Sequence, residues 1–78
     1  MVKAYIFLKT KPGTSEEVVQ RIRRNVKEVI QADSIYGRFD AIVLIEAAKL
    51  DDINEIVYKV IERDPNIIHT ETSLVLGS

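Results

Sequence analysis

Few side chains in this 78-residue chain have types and spacings that suit chemistry. Asp40 lies three residues past Gly37 in Tyr36-Gly37-Arg38-Phe39-Asp40. That places a carboxylate beside backbone which small groups can approach closely. Thr70 and Thr72 stand two apart in Ile67-Ile68-His69-Thr70-Glu71-Thr72. On a strand their hydroxyls share one face and His69 takes the other. Arg21, Arg23 and Arg24 form a short basic run. None of these sets makes a catalytic constellation. With no cysteine and one histidine, the chain has no thiolate nucleophile, disulfide or multi-histidine metal site. No cofactor or metal is expected. What remains is recognition: a carboxylate, hydroxyls and backbone N–H groups, which hold a charged ligand through charge-assisted hydrogen bonds.

Each residue also has a plainer reading. Aspartate is common in turns, and Asp40 then does no more than cap one. Gly37 serves the hairpin backbone. Thr70 and Thr72 are good β formers on an exposed face. His69 is a surface histidine. The arginine run is balanced by Glu16 and Glu17 and forms a solvated helix end.

Periodicity supplies the elements that must position these groups. Val2 to Lys9 has a period of two, with Val2, Ala4, Ile6 and Leu8 on one face and Lys3, Tyr5, Phe7 and Lys9 on the other. Lys11-Pro12-Gly13 is a turn. Thr14 and Glu17 have the spacing of a capping box, and Val18, Val19, Ile22 and Val26 follow at helical intervals. Val29 to Tyr36 is a less apolar strand that suits a sheet edge. A short glycine-centred connection leads to the strand Ala41 to Ala47, so the two strands form an antiparallel hairpin. Asp51 or Asp52 caps a second helix with the stripe Ile53, Ile56, Val57, Val60 and Ile61. Asp64-Pro65-Asn66 ends it, and Ile67 to Leu76 is the fourth strand.

The order β-α-β-β-α-β, with a weak internal repeat at an offset of about 37 (Ala4 to Leu8 against Ala41 to Ile45), is the α+β ferredoxin-like plan. It makes a four-stranded antiparallel sheet with two helices on one face. Residues 1–78 form a single domain. The uncovered sheet face carries Tyr5 and Phe7 and is expected to pack on a second subunit, since exposed apolar sheet faces are rare in soluble monomers. A domain this small buries only about 60% of its unfolded surface, so such packing also adds stability. Eleven basic and twelve acidic residues give a net charge of −1. That is not the basic footprint of a nucleic-acid binder. No apolar run approaches the ~20 residues of a membrane span, and the start has no signal-peptide pattern, so the expected location is cytoplasmic.

Taken together, the element order, the Gly-x-x-Asp of Gly37 and Asp40, and the ending Pro65-Asn66-Ile67 followed by Thr70 to Leu76 resemble the effector-binding (RAM) domain of the Lrp/AsnC transcription regulators. Since the first strand begins at Val2, the chain is similar to that domain on its own, without the DNA-reading helix-turn-helix. The resemblance implies a dimeric α/β-barrel arrangement, dimers built through the sheets, and further assembly into an octamer or similar ring of dimers. It implies an amino-acid effector bound between dimers by Gly37, Asp40, Thr70 and Thr72, and co-assembly with full-length Lrp/AsnC regulators. It also implies a left-handed turn at Asn66, where the family often has glycine. The expected function is therefore a non-catalytic binding and oligomerisation module. Two alternatives stand beside it. One is a small dimeric ferredoxin-like enzyme of the monooxygenase or isomerase type, for which His69 is isolated and the helix stripes fill the pocket. The other is a structural partner of a regulator that binds no ligand.

Overall fold

The computed structural model describes residues 1–77. Its elements are β1 (Val2–Thr10), α1 (Ser15–Asn25), β2 (Val29–Ser34), β3 (Ala41–Ala47), α2 (Leu50–Ile56), a π-helical turn (Val57–Ile61) and β4 (Ile67–Leu74). The sheet order is β2-β3-β1-β4, with every pair antiparallel. This is the ferredoxin-like α+β fold expected from the period-two and helical stripes.

Alternation along the two central strands decides what is covered. Ala4, Ile6 and Leu8 of β1 and Ala41, Val43 and Ile45 of β3 are wholly buried against the helix layer. Val18, Val19 and Ile22 of α1 meet them, with Ile53, Val57 and Ile61 from α2 and its π turn. The opposite face carries Tyr5 paired with Leu44 and Phe7 paired with Ile42. No helix covers that face, and Tyr5 is 40% exposed.

Several local expectations are corrected. The capping box does not form. Thr14 is not extended at the N-cap (φ −112, ψ −1), and its Oγ1 donates to Lys11 O at 2.7 Å. Glu17 is engaged elsewhere, by Arg21 and Asn66. α2 is capped two residues before Asp51 and three before Asp52. Lys49 is its extended N-cap, and both aspartates lie in the first turn, where they still complement the helix dipole. Beyond Ile56 the winding loosens, and Glu62 N donates to Val57 O five residues back at 2.8 Å. A π turn adds a residue per turn and rotates side chains off the 3.6-residue stripe. Val60 is therefore 39% exposed, while Val57 and Ile61 stay buried. β2 ends at Ser34 rather than Tyr36 because Ser34 already pairs with Ala41, the first residue of β3. β4 ends at Leu74 rather than Leu76, its last ladder pair being Leu74 with Ala4, with one further hydrogen bond from Val75 N to Lys3 O at 2.9 Å. Among the described residues only glycines have positive φ, so Asn66 does not make a left-handed turn. Its N–H donates to Asp64 and its amide to Glu17. Gly13 does take the left-handed turn, at φ 78.

Among the described residues, no helix is long and apolar enough to cross a membrane. Nor does any group of three or more histidine, aspartate or glutamate side chains gather as metal ligands.

Candidate functional site

The connection of residues 35–40 closes on itself and on β1. Ile35 N donates to Asp40 O at 3.0 Å, and Asp40 N donates to Leu8 O at 2.9 Å. The Asp40 side chain adds a third tie, with Oδ2 accepting from Thr10 N at 2.9 Å. Asp40 therefore does stabilise the turn, but with one oxygen. Its Oδ1 has no hydrogen-bond partner among the described residues. The result is a carboxylate fixed in direction with an acceptor to spare. That is suited to an ammonium group, because its orientation is settled before a ligand arrives.

Gly37 lies in the same connection, outside the left-handed region. A Cβ built on it meets nothing within 4 Å. Neither backbone strain nor crowding inside the chain demands glycine there. Gly37→Ala is accordingly expected to leave stability unchanged or raise it by up to about 0.5 kcal/mol, through a less flexible unfolded chain. Urea denaturation checks this, and a loss of 1 kcal/mol or more would show an unseen structural constraint.

Thr70 and Thr72 lie on β4 opposite Leu8 and Ile6. They therefore point to the helix side, as their spacing of two requires. The helix layer does not extend over this edge strand, and Thr72 is exposed. Thr70 Oγ1 donates to Glu62 Oε2 at 3.2 Å, whereas Thr72 makes no side-chain hydrogen bond among the described residues. Glu62, Ile67, Ile68, His69 and Thr70 line a hollow of about 400 Å³ at this edge. The four expected site residues thus form two pairs. Leu8 bonds to Asp40 on one side and faces Thr70 on the other. This puts the pairs about 10 Å apart, two strand spacings, and within one chain they do not touch.

His69 points to the open sheet face, 3.6 Å from Glu71. Tyr5 and Phe7 also lie on that face. Phe7 packs on Phe39 with ring centroids 5.3 Å apart. Tyr5, Gln31, Ile42 and Leu44 surround a shallow depression of about 210 Å³.

The arginine run is not merely solvated. Arg21 makes a two-pronged contact with Asp64, Nε to Oδ2 and Nη2 to Oδ1, both at 2.9 Å. It also meets Glu17 at 2.9 Å. Sequence reasoning missed this contact across 43 positions. The Glu17-to-Arg21 spacing of four is the only part of it that local pattern reveals.

Residues 3–78 match the family model described as the Lrp/AsnC ligand binding domain. No curated protein matches the chain. Among solved structures it is similar to FFRP-DM1 (32% identity, TM-score 0.90, covering 97% of this chain and 100% of that one). It is also similar to the hypothetical protein PHS023 from Pyrococcus horikoshii (31% identity, TM-score 0.91, covering 100% and 93%). A third likeness is to the transcriptional regulator NMB0573 from Neisseria meningitidis, in complex with L-Met (16% identity, TM-score 0.83). It covers 96% of this chain and 49% of the regulator, and at that identity it shows the fold alone.

Proposed function

The chain belongs to the Lrp/AsnC ligand-binding domain family, a family of regulatory effector-binding modules, and from that premise we propose that it binds an amino acid and couples binding to assembly. The observation that carries this reading is Asp40, held through one carboxylate oxygen by Thr10 N–H while the other has no hydrogen-bond partner among the described residues. An α-amino acid carries its cation and its anion on one carbon. Asp40 receives the ammonium, and the backbone at Gly37, open to close approach, receives the carboxylate. Thr70 and Thr72 of a neighbouring copy complete the site, since the two pairs stand apart in one chain. The regulator NMB0573 holds L-Met in its complex, a ligand of this chemistry.

Tyr5, Phe7, Ile42 and Leu44 form the dimer face, and dimers then join into a ring. Binding at the join biases the assembly, which is allostery in the strict sense of coupled equilibria. No catalytic step is assigned to the chain. Its effect on transcription passes through full-length Lrp/AsnC regulators rather than through direct contact with nucleic acid, and it acts in the cytoplasm.

Thermal melts against each of the twenty amino acids, read beside light-scattering mass, test the proposal. One or a few amino acids are expected to stabilise the protein. At 100 times its dissociation constant a ligand adds ~2.7 kcal/mol, which raises the Tm of a domain this size by roughly 10–20 °C. No shift with any amino acid, from a well-defined oligomer, would replace this reading with that of a structural partner that binds no ligand.

A further inference from the structure

Nothing in the local sequence forces the π turn over Val57–Ile61. The segment Val57-Tyr58-Lys59-Val60-Ile61 holds neither proline nor glycine. A continued α-helix would keep Val60 with the apolar stripe of Ile53, Ile56, Val57 and Ile61. The turn instead leaves Val60 partly in solvent and gives up part of its burial. Single π turns within helices occur frequently at functional sites. This one opens a hollow of about 210 Å³ between α1 and the chain that leads to β4.

The wall of the hollow is mostly apolar, from Ile22 on α1, Val60 on the π turn and Pro65 beyond it. Arg21, Asn25, Arg63 and Asp64 supply its polar groups. Two of these are already committed. Asp64 accepts both prongs of Arg21 and the N–H of Asn66, and Arg21 Nη1 donates to Glu17. Arg63 and the Asn25 side chain have no partner among the described residues. Asp64 is the only carboxylate lining the hollow, and with both oxygens taken it has little to offer a cation. The hollow therefore combines an apolar wall with one uncompensated guanidinium and one amide donor.

That combination fits an anion with an apolar tail. A guanidinium takes a carboxylate through two parallel N–H···O bonds, and the Asn25 amide adds a further donor. At the roughly 30 Å³ that a water molecule occupies in the liquid, the space holds about seven non-hydrogen atoms. We propose that this hollow binds a short aliphatic monocarboxylate, with its carboxylate on Arg63 and Asn25 and its tail against Ile22, Val60 and Pro65. The site lies on the helix layer and shares no residue with the Asp40–Gly37 or Thr70–Thr72 pairs, so it does not rest on the amino-acid reading.

The test is a titration of the ¹⁵N-labelled full chain with isovalerate, followed by amide chemical shifts. Isovalerate has the required size and lacks an ammonium. Saturable shifts are expected at residues 21–25 and 60–65, with a Kd in the millimolar range, as suits a ligand of this size. Isovaleramide, its uncharged counterpart, is expected to bind roughly 10-fold more weakly or worse, and so is isovalerate to Arg63→Gln. Arg63 is exposed and unpaired, so that variant is expected to melt as the wild type does. Asp40→Asn is expected to bind isovalerate unchanged. The absence of saturable shifts, shifts centred on the 35–40 connection, or undiminished binding by isovaleramide or by Arg63→Gln overturns the site. Amino-acid melts that fail leave this titration standing, and the converse holds equally.

Discussion

Asp64→Ala is expected to lose about 2 kcal/mol of stability at neutral pH, the range for removing a hydrogen-bonded charged group. For a chain of this size that lowers the Tm by roughly 10 °C. The size of the effect follows from what the carboxylate joins. Its side chain is 10% exposed. It takes both prongs of Arg21 on α1 and the N–H of Asn66 just before β4, each at 2.9 Å. Asn66 in turn donates to Glu17 at 3.0 Å, and its carbonyl accepts from Lys11 N at 2.8 Å at the end of β1. One residue therefore fastens α1, the helix exit and two strands. Deleting it leaves a partly covered guanidinium without its principal partner. The surface pairs Arg23–Asp33 and Lys59–Glu55, both well exposed, are worth far less.

The pH dependence has a definite sign. Burial opposes ionisation of Asp64, but the hydrogen bonds from Arg21 and the Asn66 N–H outweigh it and hold its pKa below the ordinary 3.8. A depressed carboxylate contributes its stability fully above the unfolded value and loses it as pH falls through the folded one. The gap between wild type and Asp64→Asn, measured by urea denaturation, is thus expected to be constant from pH 7 to 5 and to close below about 3.8. Stability of Asp64→Ala within 0.5 kcal/mol of wild type, or a gap that widens in acid, would show that the network is ornamental.

That network also marks where sequence reading stops. Period-two alternation placed Ala4, Ile6 and Leu8 inside and Tyr5 and Phe7 outside, because a strand has two faces and a one-residue slip inverts them both. Helical stripes placed Val18, Ile22, Ile53 and Ile61 for the same local reason. Val60 escaped, since a stripe counted at 3.6 residues cannot anticipate a π turn. The Thr14–Glu17 box failed because Glu17 had stronger partners from elsewhere in the fold, and Arg21–Asp64 spans 43 positions with no local period to betray it. Of the candidate residues, spacing shows that Gly37 lies near Asp40 and that Thr70 shares a face with Thr72, but not that β1 stands between the two pairs. Spacing along a chain says nothing about which side of a central strand each group reaches.

Asp40→Asn separates the two roles that Asp40 combines. Asparagine still offers a carbonyl oxygen to Thr10 N–H, so the turn keeps its 2.9 Å tie, but it offers no negative charge to an ammonium. The ligand-free variant is expected to melt within a few degrees of wild type. Its dissociation constant for the stabilising amino acid is expected to rise roughly 10–100-fold, the equivalent of one charge-assisted hydrogen bond. Asp40→Ala loses the turn bond as well, and is expected to be about 1 kcal/mol less stable before any ligand is added. Titration calorimetry with paired melts measures both quantities. If Asp40→Asn binds as tightly as wild type, Asp40 is a turn residue and the ammonium is held elsewhere. If the asparagine variant folds normally and binding collapses, the unpaired carboxylate oxygen is the recognition group. The tie to Thr10 is then what makes it effective, because a carboxylate already fixed in place gives up no rotamer freedom when the ligand binds.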